Sequence, residues 1–261
     1  MNQALPLNPE RPSLCVSDLH LTRADDPAFH CLTALAELAA AEQLNLFLLG
    51  DLVEVWIGDD DDAPFAAAFR TLLSTTARST AVGLMAGNRD FLYGAALAEQ
   101  AAIHLLPDPF PFGSLLMSHG DAFCTDDEPY QQLRTLFRSA SWQQEILGQS
   151  LSARRELASS MRQQSAAANA LKAGNIMDVN RSAWHTALEA SDRTRLLHGH
   201  THRPALHADG EFKRWVLGAW ERTAWIAVLR PGGEPALYCT GYRQPLGGWW
   251  AAVKAQLGIR S

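Results

Sequence analysis

Along the first half of the chain, short apolar runs alternate with stretches of helical period. Ser13 to Ser17, Leu44 to Leu49 and Ala81 to Met85 each have the length and composition of a buried strand. Between them, Ala28 to Glu42 carries Phe29, Leu32, Leu35, Leu38 and Ala39 at helical spacing, and Pro64 to Thr75 reads as a second helix. Phe91 to Gln100 is predicted helical, and Leu115 to Met117 a further strand. This strand–helix–strand rhythm predicts a largely parallel sheet with its functional groups at the carboxyl ends of the strands.

From Pro129 to about Lys172 the strand signal stops, and Gln, Ser, Ala, Leu and Arg predict three or four helices. Such an insertion is either a lid that selects substrate or a plain packing elaboration. Arg195 to Leu197 resumes the strand pattern. Lys213 to Leu217, Ala224 to Leu229 and Ala236 to Tyr238 follow between Gly and Pro turns and predict a second sheet packed on the first. The expected organisation is one domain over 1–245, with an insertion at about 129–174 and a tail at 246–261. The tail sets Trp249, Trp250, Val253 and Leu257 beside Lys254 and Arg260, so it reads as an amphipathic interfacial helix or as a helix packed on its own domain. There are no internal repeats.

With 261 residues, 47% hydrophobic and 19% charged, the chain has a globular composition. A formal net charge of -6 argues against a general nucleic-acid binder. Cys15, Cys31, Cys124 and Cys239 are scattered without a Cys-x-x-Cys pair, which predicts free thiols. Met1 to Arg11 lacks a basic stretch followed by an apolar one, so no signal peptide is expected. No stretch approaches the roughly 20 apolar residues of a membrane span, and a cytoplasmic protein able to touch a membrane surface is expected.

The chemistry lies directly behind the apolar runs. Ser17-Asp18-Leu19-His20, Gly50-Asp51, Gly87-Asn88-Arg89-Asp90, Ser118-His119-Gly120-Asp121 and His198-Gly199-His200-Thr201-His202 place metal-ligand residue types after successive candidate strands. Asp, Asn and His offer oxygen and imidazole donors that suit Mn²⁺, Fe²⁺ or Zn²⁺ better than Ca²⁺. Residues two apart at a strand end point the same way, so Asp18 and His20 can reach one ion. Asp51 can bridge two. The expected sets are Asp18, His20, Asp51 and His202 on one ion, and Asp51, Asn88, His119 and His200 on the other. Asp90 and Asp121 are candidates to orient their neighbours by hydrogen bonding, and His198 to support the ligands beside it. Any one of these residues alone reads as a cap or a structural histidine; the set does not.

These segments resemble the calcineurin-like metallophosphoesterase superfamily, whose pattern is D-x-H, G-D, G-N-[H/R]-[D/E], H-G and G-H-x-H. The runs Leu49-Gly50-Asp51-Leu52-Val53-Glu54-Val55-Trp56-Ile57-Gly58-Asp59-Asp60, Gly87-Asn88-Arg89-Asp90-Phe91-Leu92 and His198-Gly199-His200-Thr201-His202-Arg203-Pro204 are similar to its UDP-2,3-diacylglucosamine hydrolase family. So are Cys124-Thr125-Asp126-Asp127, Ile176-Met177-Asp178-Val179-Asn180 and Leu217-Gly218-Ala219-Trp220. The resemblance implies a four-layer α/β/β/α sandwich with a helical cap insertion and two Mn²⁺ ions per chain. It implies hydrolysis of UDP-2,3-diacylglucosamine to UMP and 2,3-diacylglucosamine 1-phosphate, a step of lipid A biosynthesis, by a peripheral protein at the cytoplasmic face of the inner membrane. Its catalytic residues map onto Asp51, Asn88, Arg89 and His119. Its substrate contacts map onto Asn88, Arg89, Asp127, Ser165, Asn169, Lys172 and His200. No protein partner is expected.

Two cations roughly 3.5–4 Å apart lower the pKa of a bridging water and clamp the attacking and leaving oxygens, and the resulting hydroxide is expected to attack the α phosphorus. Many members of the superfamily carry His after the Asn. Here Arg89 stands there; it stays charged and cannot act as an acid, but it can stabilise charge on phosphoryl oxygens. That favours a leaving group able to depart unprotonated, such as a sugar 1-phosphate. Leu133, Leu136, Phe137, Ile146, Leu147, Leu151, Leu157 and Met161 in the cap read in one of two ways. They form one face that holds acyl chains, with Arg134, Arg138, Arg154, Arg155, Arg162 and Lys172 meeting phosphates or headgroups. Or they belong to a helical hairpin packing its apolar face on the body, the stronger reading residue by residue. The alternatives are another calcineurin-like phosphodiesterase, a dinucleoside-polyphosphate hydrolase, or a metal-stabilised scaffold.

Overall fold

The structure, a computed structural model, describes residues 3–170 and 178–258, with backbone alone over 166–170. Two mixed sheets face each other, and helices cover both outer faces. The first sheet comprises β1 (Ser13–Val16), β2 (Asn45–Leu49), β3 (Ala81–Met85), β4 (His104–Leu106), β10 (Thr223–Leu229) and β11 (Ala236–Gly241), in the order β11-β10-β1-β2-β3-β4. The second comprises β5 (Phe110–Phe112), β6 (Leu115–Ser118), β7 (Arg195–His198), β8 (Ala205–Asp209) and β9 (Phe212–Val216), in the order β5-β6-β7-β9-β8. Parallel pairing runs through β1, β2, β3 and β4 and through β6, β7 and β9, so in each sheet several carboxyl ends point the same way.

Period-two alternation explains the layering, because successive side chains on a strand face opposite sides. Leu14, Val16, Leu46, Leu48, Val82 and Leu84 point outward, onto α1 (Pro27–Ala41), α2 (Pro64–Thr76), α3 (Ala95–Ala101) and α8 (Leu246–Leu257). Cys15, Phe47, Leu49 and Met85 point inward and meet Leu115, Met117, Leu197 and Trp215 of the second sheet. Leu116 and Leu196 point away from that interface onto α7 (Arg181–Ala190). Four layers result, α/β/β/α. Between β6 and α7 lie a 3₁₀ turn over Asp121–Phe123 and three cap helices: α4 (Glu128–Phe137), α5 (Ala140–Leu147) and α6 (Leu151–Ala170).

Some elements differ from expectation for physical reasons. β4, β5 and β8 escape the sequence pattern, and each is an edge strand: three residues, a Phe-Pro-Phe run, and a largely exposed stretch. α7, N-capped by the Asn180 side chain, is also additional. The later strands do not stay together. β9 joins the second sheet, whereas β10 returns to pair antiparallel with β1 and carries β11 into the first sheet. α3 begins at Ala95 because Phe91 to Gly94 form a loop in which the Tyr93 hydroxyl donates to Asp90 at 2.9 Å. In the tail, Leu246, Trp250 and Val253 are buried in the α1 side of the core, and the outward positions are mainly Gly and Ala. Cys15, Cys31 and Cys124 are buried and Cys239 is exposed, all as free thiols. Among the described residues, no helix is long and apolar enough to cross a membrane.

Candidate metal centre

The ladder of the first sheet continues past its strands. Asp18 N donates to Gly50 O at 3.1 Å, His20 N to Asp51 O at 3.0 Å, and Leu21 bridges Val53. This holds the Asp18-x-His20 loop in register beside Asp51. In the second sheet, Gly199 N donates to His119 O at 2.9 Å. The two sheets are joined where His200 N donates to the Asp18 carboxylate at 2.9 Å. Asp90, fully buried, accepts from Gly87 N (2.7 Å), Leu52 N (2.7 Å) and Asp51 N (3.2 Å), and so ties the β2 loop to the β3 loop. A side chain at Gly87 would collide with the Asp51 carboxylate and backbone, so the close approach of these loops requires glycine.

Asp18, His20, Asp51, His200 and His202 all have positive φ, between 48° and 64°. L-residues adopt this region at a cost of order 1–3 kcal/mol each, and hold it only where the surroundings over-determine it. Its concentration at the predicted ligands marks the strand ends as a site.

The donor atoms converge in two overlapping groups. Ligand atoms of Asp18, His20 and His202 lie within 4.8 Å of one another, as do those of Asp18, Asp51 and His119. His20 Nε2 is 3.4 Å from His202 Nε2 and 4.0 Å from Asp51 Oδ2, and His202 Nε2 is 3.3 Å from Asp18 Oδ1. On the other side, His119 Nε2 faces Asn88 Oδ1 at 3.1 Å and Asp51 Oδ1 at 3.7 Å. The rings of His119 and His200 pack edge to face, centroids 5.1 Å apart. All seven predicted donors are thus brought together, with Asp51 between the two groups. The geometry draws Asp18 towards the second group as well.

The donor set fits divalent cations. His119 Nδ1 lies 3.1 Å from Leu49 O, which leaves Nε2 as the atom facing Asn88 and Asp51. Burial pushes the Asp51 carboxyl up to about 6, with Asp90 and Asp18 adding to this against the pull of His119 and His20. Burial alone would lower His119, but Asp51, Asp121, Asp18 and Asp108 raise it to about 9. The cage therefore demands positive charge, which a proton on His119 supplies and a cation would replace.

Behind the donors, Asp90, Asp121 and His198 were expected, whereas the places of Glu54 and Tyr130 came only with the structure. Glu54 Oε2 stands 3.2 Å from His20 Nδ1. Asp121 accepts from the Tyr130 hydroxyl at 2.6 Å and from Arg134 Nε at 2.8 Å, and the Tyr130 ring stacks on His200 with centroids 6.1 Å apart. Glu54 lies in a motif run, but nothing in its spacing shows that it reaches across to the β1 loop.

From the donors a cavity of about 630 Å³ opens beneath the cap. Its lining includes Asn88, Arg89, His200 and His202 at one end, and Trp56, Phe91, Leu133, Phe137, Trp142, Ile146, Leu157 and Met161 beyond. Ser165 and Asp127 also line it, although the Asp127 carboxylate caps α4 by accepting from Tyr130 N at 3.3 Å. Asn169 falls in α6 with its side chain outside the described set, and Lys172 lies outside the described residues. Arg134, Arg138, Arg154 and Arg162 of the cap line the cavity as well, and each cap arginine has a partner of its own. Arg134 pairs with Asp121, Arg138 donates to Gly87 O at 2.9 Å, Arg154 pairs with Asp60, Arg155 with Asp61 and Asp62, and Arg162 with Glu54. They fasten the cap to the body.

Two facing sheets with carboxylate, amide and imidazole donors at the carboxyl ends of β1, β2, β3, β6 and β7 define a calcineurin-like metallophosphoesterase. No protein-family model matches the chain. It is 40% identical over 239 residues to the UDP-2,3-diacylglucosamine hydrolase of Bordetella pertussis, covering 85% of this chain and 93% of the relative. The enzymes of the same name from Aromatoleum aromaticum (41%; 81% and 90% covered) and Chromobacterium violaceum (43%; 78% and 89% covered) are similarly close. The chain belongs to the UDP-2,3-diacylglucosamine hydrolase family. Likeness to solved structures is looser: a dimetal phosphatase from Danio rerio gives a TM-score of 0.47 at 11% identity over 91% of this chain and 98% of that one, too loose to bear on function.

Proposed function

We propose that the chain hydrolyses the pyrophosphate of UDP-2,3-diacylglucosamine to UMP and 2,3-diacylglucosamine 1-phosphate, using two Mn²⁺ ions. The observation that carries this, given the family, is that the donor cluster opens directly into an apolar cavity. One end suits a diphosphate and the other an acyl chain. Asp18, His20, Asp51 and His202 would hold one ion, and Asp51, Asn88, His119 and His200 the other. Divalent cations bound there supply Lewis acidity, which acidifies water and offsets phosphoryl charge.

Arg89 N donates to Asp51 Oδ1 at 2.8 Å, so its backbone is fixed on the centre while its guanidinium lines the cavity. There it can stabilise charge on the phosphoryl oxygens but cannot protonate a leaving group. A sugar 1-phosphate departs without that help; an alkoxide does not. Asp127, Ser165, Asn169 and Lys172 complete the proposed substrate contacts with Asn88, Arg89 and His200. A lipid substrate places the enzyme at a membrane surface, the cytoplasmic face of the inner membrane in lipid A biosynthesis. Leu133, Leu136 and Leu147, exposed on the cap helices, suit such contact.

The test is a Mn²⁺-dependent assay of UMP release from UDP-2,3-diacylglucosamine beside diadenosine tetraphosphate and an alkyl phosphate monoester. The lipid nucleotide should turn over well and the other two poorly, and Asp51→Ala should fall to background. Comparable rates on all three would overturn the assignment.

A further inference from the structure

Among the carboxylates around the centre, Glu54 is neither a predicted ligand nor a predicted substrate contact. Its Oε2 is 3.2 Å from His20 Nδ1, and His20 directs its other nitrogen at His202 and Asp51. Its Oε1 is 3.1 Å from Arg162 Nε on α6 and 3.9 Å from Arg89. The Glu54 and His20 side chains are largely shielded from water, at 19% and 25% exposed, while Arg162 is half exposed. At this distance His20 Nδ1 is not aligned for a hydrogen bond to Glu54 and has no other aligned partner among the described residues, so Glu54 is the acceptor that a small turn of the ring would bring into line. A proton on Nδ1 held towards Glu54 then leaves the Nε2 lone pair facing the donor cluster. The opposite tautomer would point an N–H at His202 and Asp51 and leave Glu54 facing a lone pair. Imidazole ligands oriented by a carboxylate in this way lose their tautomer and ring orientation when it is removed.

We propose that Glu54 is a positioning residue that sets His20 as an Nε2 ligand, with Arg162 and Arg89 holding the Glu54 carboxylate in place from the cap and the β3 loop. The inference rests on the reading of the site as a two-ion centre. It is tested without substrate, by titrating Mn²⁺ into metal-free wild type, Glu54→Gln and Glu54→Ala, and by ¹⁵N shifts of the His20 ring in the Zn²⁺-loaded, diamagnetic protein. Wild type should bind two ions, with His20 protonated at Nδ1. Glu54→Ala should bind one of the two about 10- to 100-fold more weakly and the other unchanged, with Glu54→Gln between them. Circular dichroism identifies a variant that has failed to fold, in which case Glu54→Gln decides. Wild-type affinity for both ions in the folded variants, or Nδ1 ligation in the wild type, would overturn the proposal. Fewer than two ions in the wild type would instead overturn the two-ion reading beneath it.

Discussion

His198 does not face the cavity, yet it anchors the loop that carries His200 and His202. It is fully buried, its Nδ1 is 2.9 Å from Gly199 O, and its Nε2 faces Arg214 at 3.3 Å. Burial and then Arg214 push it down to about 3. A base held this far below its unfolded value near 6.5 is neutral in the fold and takes a proton on unfolding between those limits. Stability should therefore fall as pH drops through that window, by at most about 1.4 kcal/mol per pH unit from this group. In chelator, urea denaturation of His198→Gln against wild type should show a gap that narrows from pH 7 towards pH 4.5. A constant gap would mean that His198 does not titrate on unfolding. The seven donors were legible in the sequence because each follows an apolar run. A supporting place for His198 was also expected, but its contact with Arg214 and the approach of Glu54 to His20 were not legible, since both depend on contacts between segments that only the fold brings together.

Among the elements, the cap is fastened more tightly than a mobile lid requires. Arg154, with a side chain only 3% exposed, donates to Ile57 O and Asp60 Oδ1, both at 2.7 Å, and makes a second bond to Asp60. Gly58, at φ 132°, leaves room for that guanidinium, which any side chain there would strike. Arg154→Met keeps much of the volume and removes the bonds, at a cost of about 2 kcal/mol. Hydrogen exchange should quicken in α5 and the start of α6 and stay unchanged in β1, β2 and β3. Uniform loss of protection would make the contact a global one. The helices of the cap were readable from composition, but the partners of their arginines were not. A sequence shows that a charge is present, and only the packing shows that Asp60, Asp61, Asp62 and Glu54 have already answered it.

For the molecule as a whole, the central strands were legible because burial on both faces gives continuous apolar runs. Their distribution between two sheets was not, since β10 finds β1 across more than two hundred residues. The same non-local pairing governs the order of assembly. His20 and His202, 182 residues apart, belong to different sheets, so their site is incomplete until the sheets have docked. An ion that requires both can contribute little to the barrier-limiting ensemble if docking comes late. Saturating Mn²⁺ should then slow unfolding in stopped-flow denaturant jumps and leave the refolding rate within about twofold of the chelated protein. Equal acceleration of refolding would place docking before the barrier. Metal would in that case guide the chain to its fold, instead of acting as a latch that closes behind it and lengthens the lifetime of a structure reached without it.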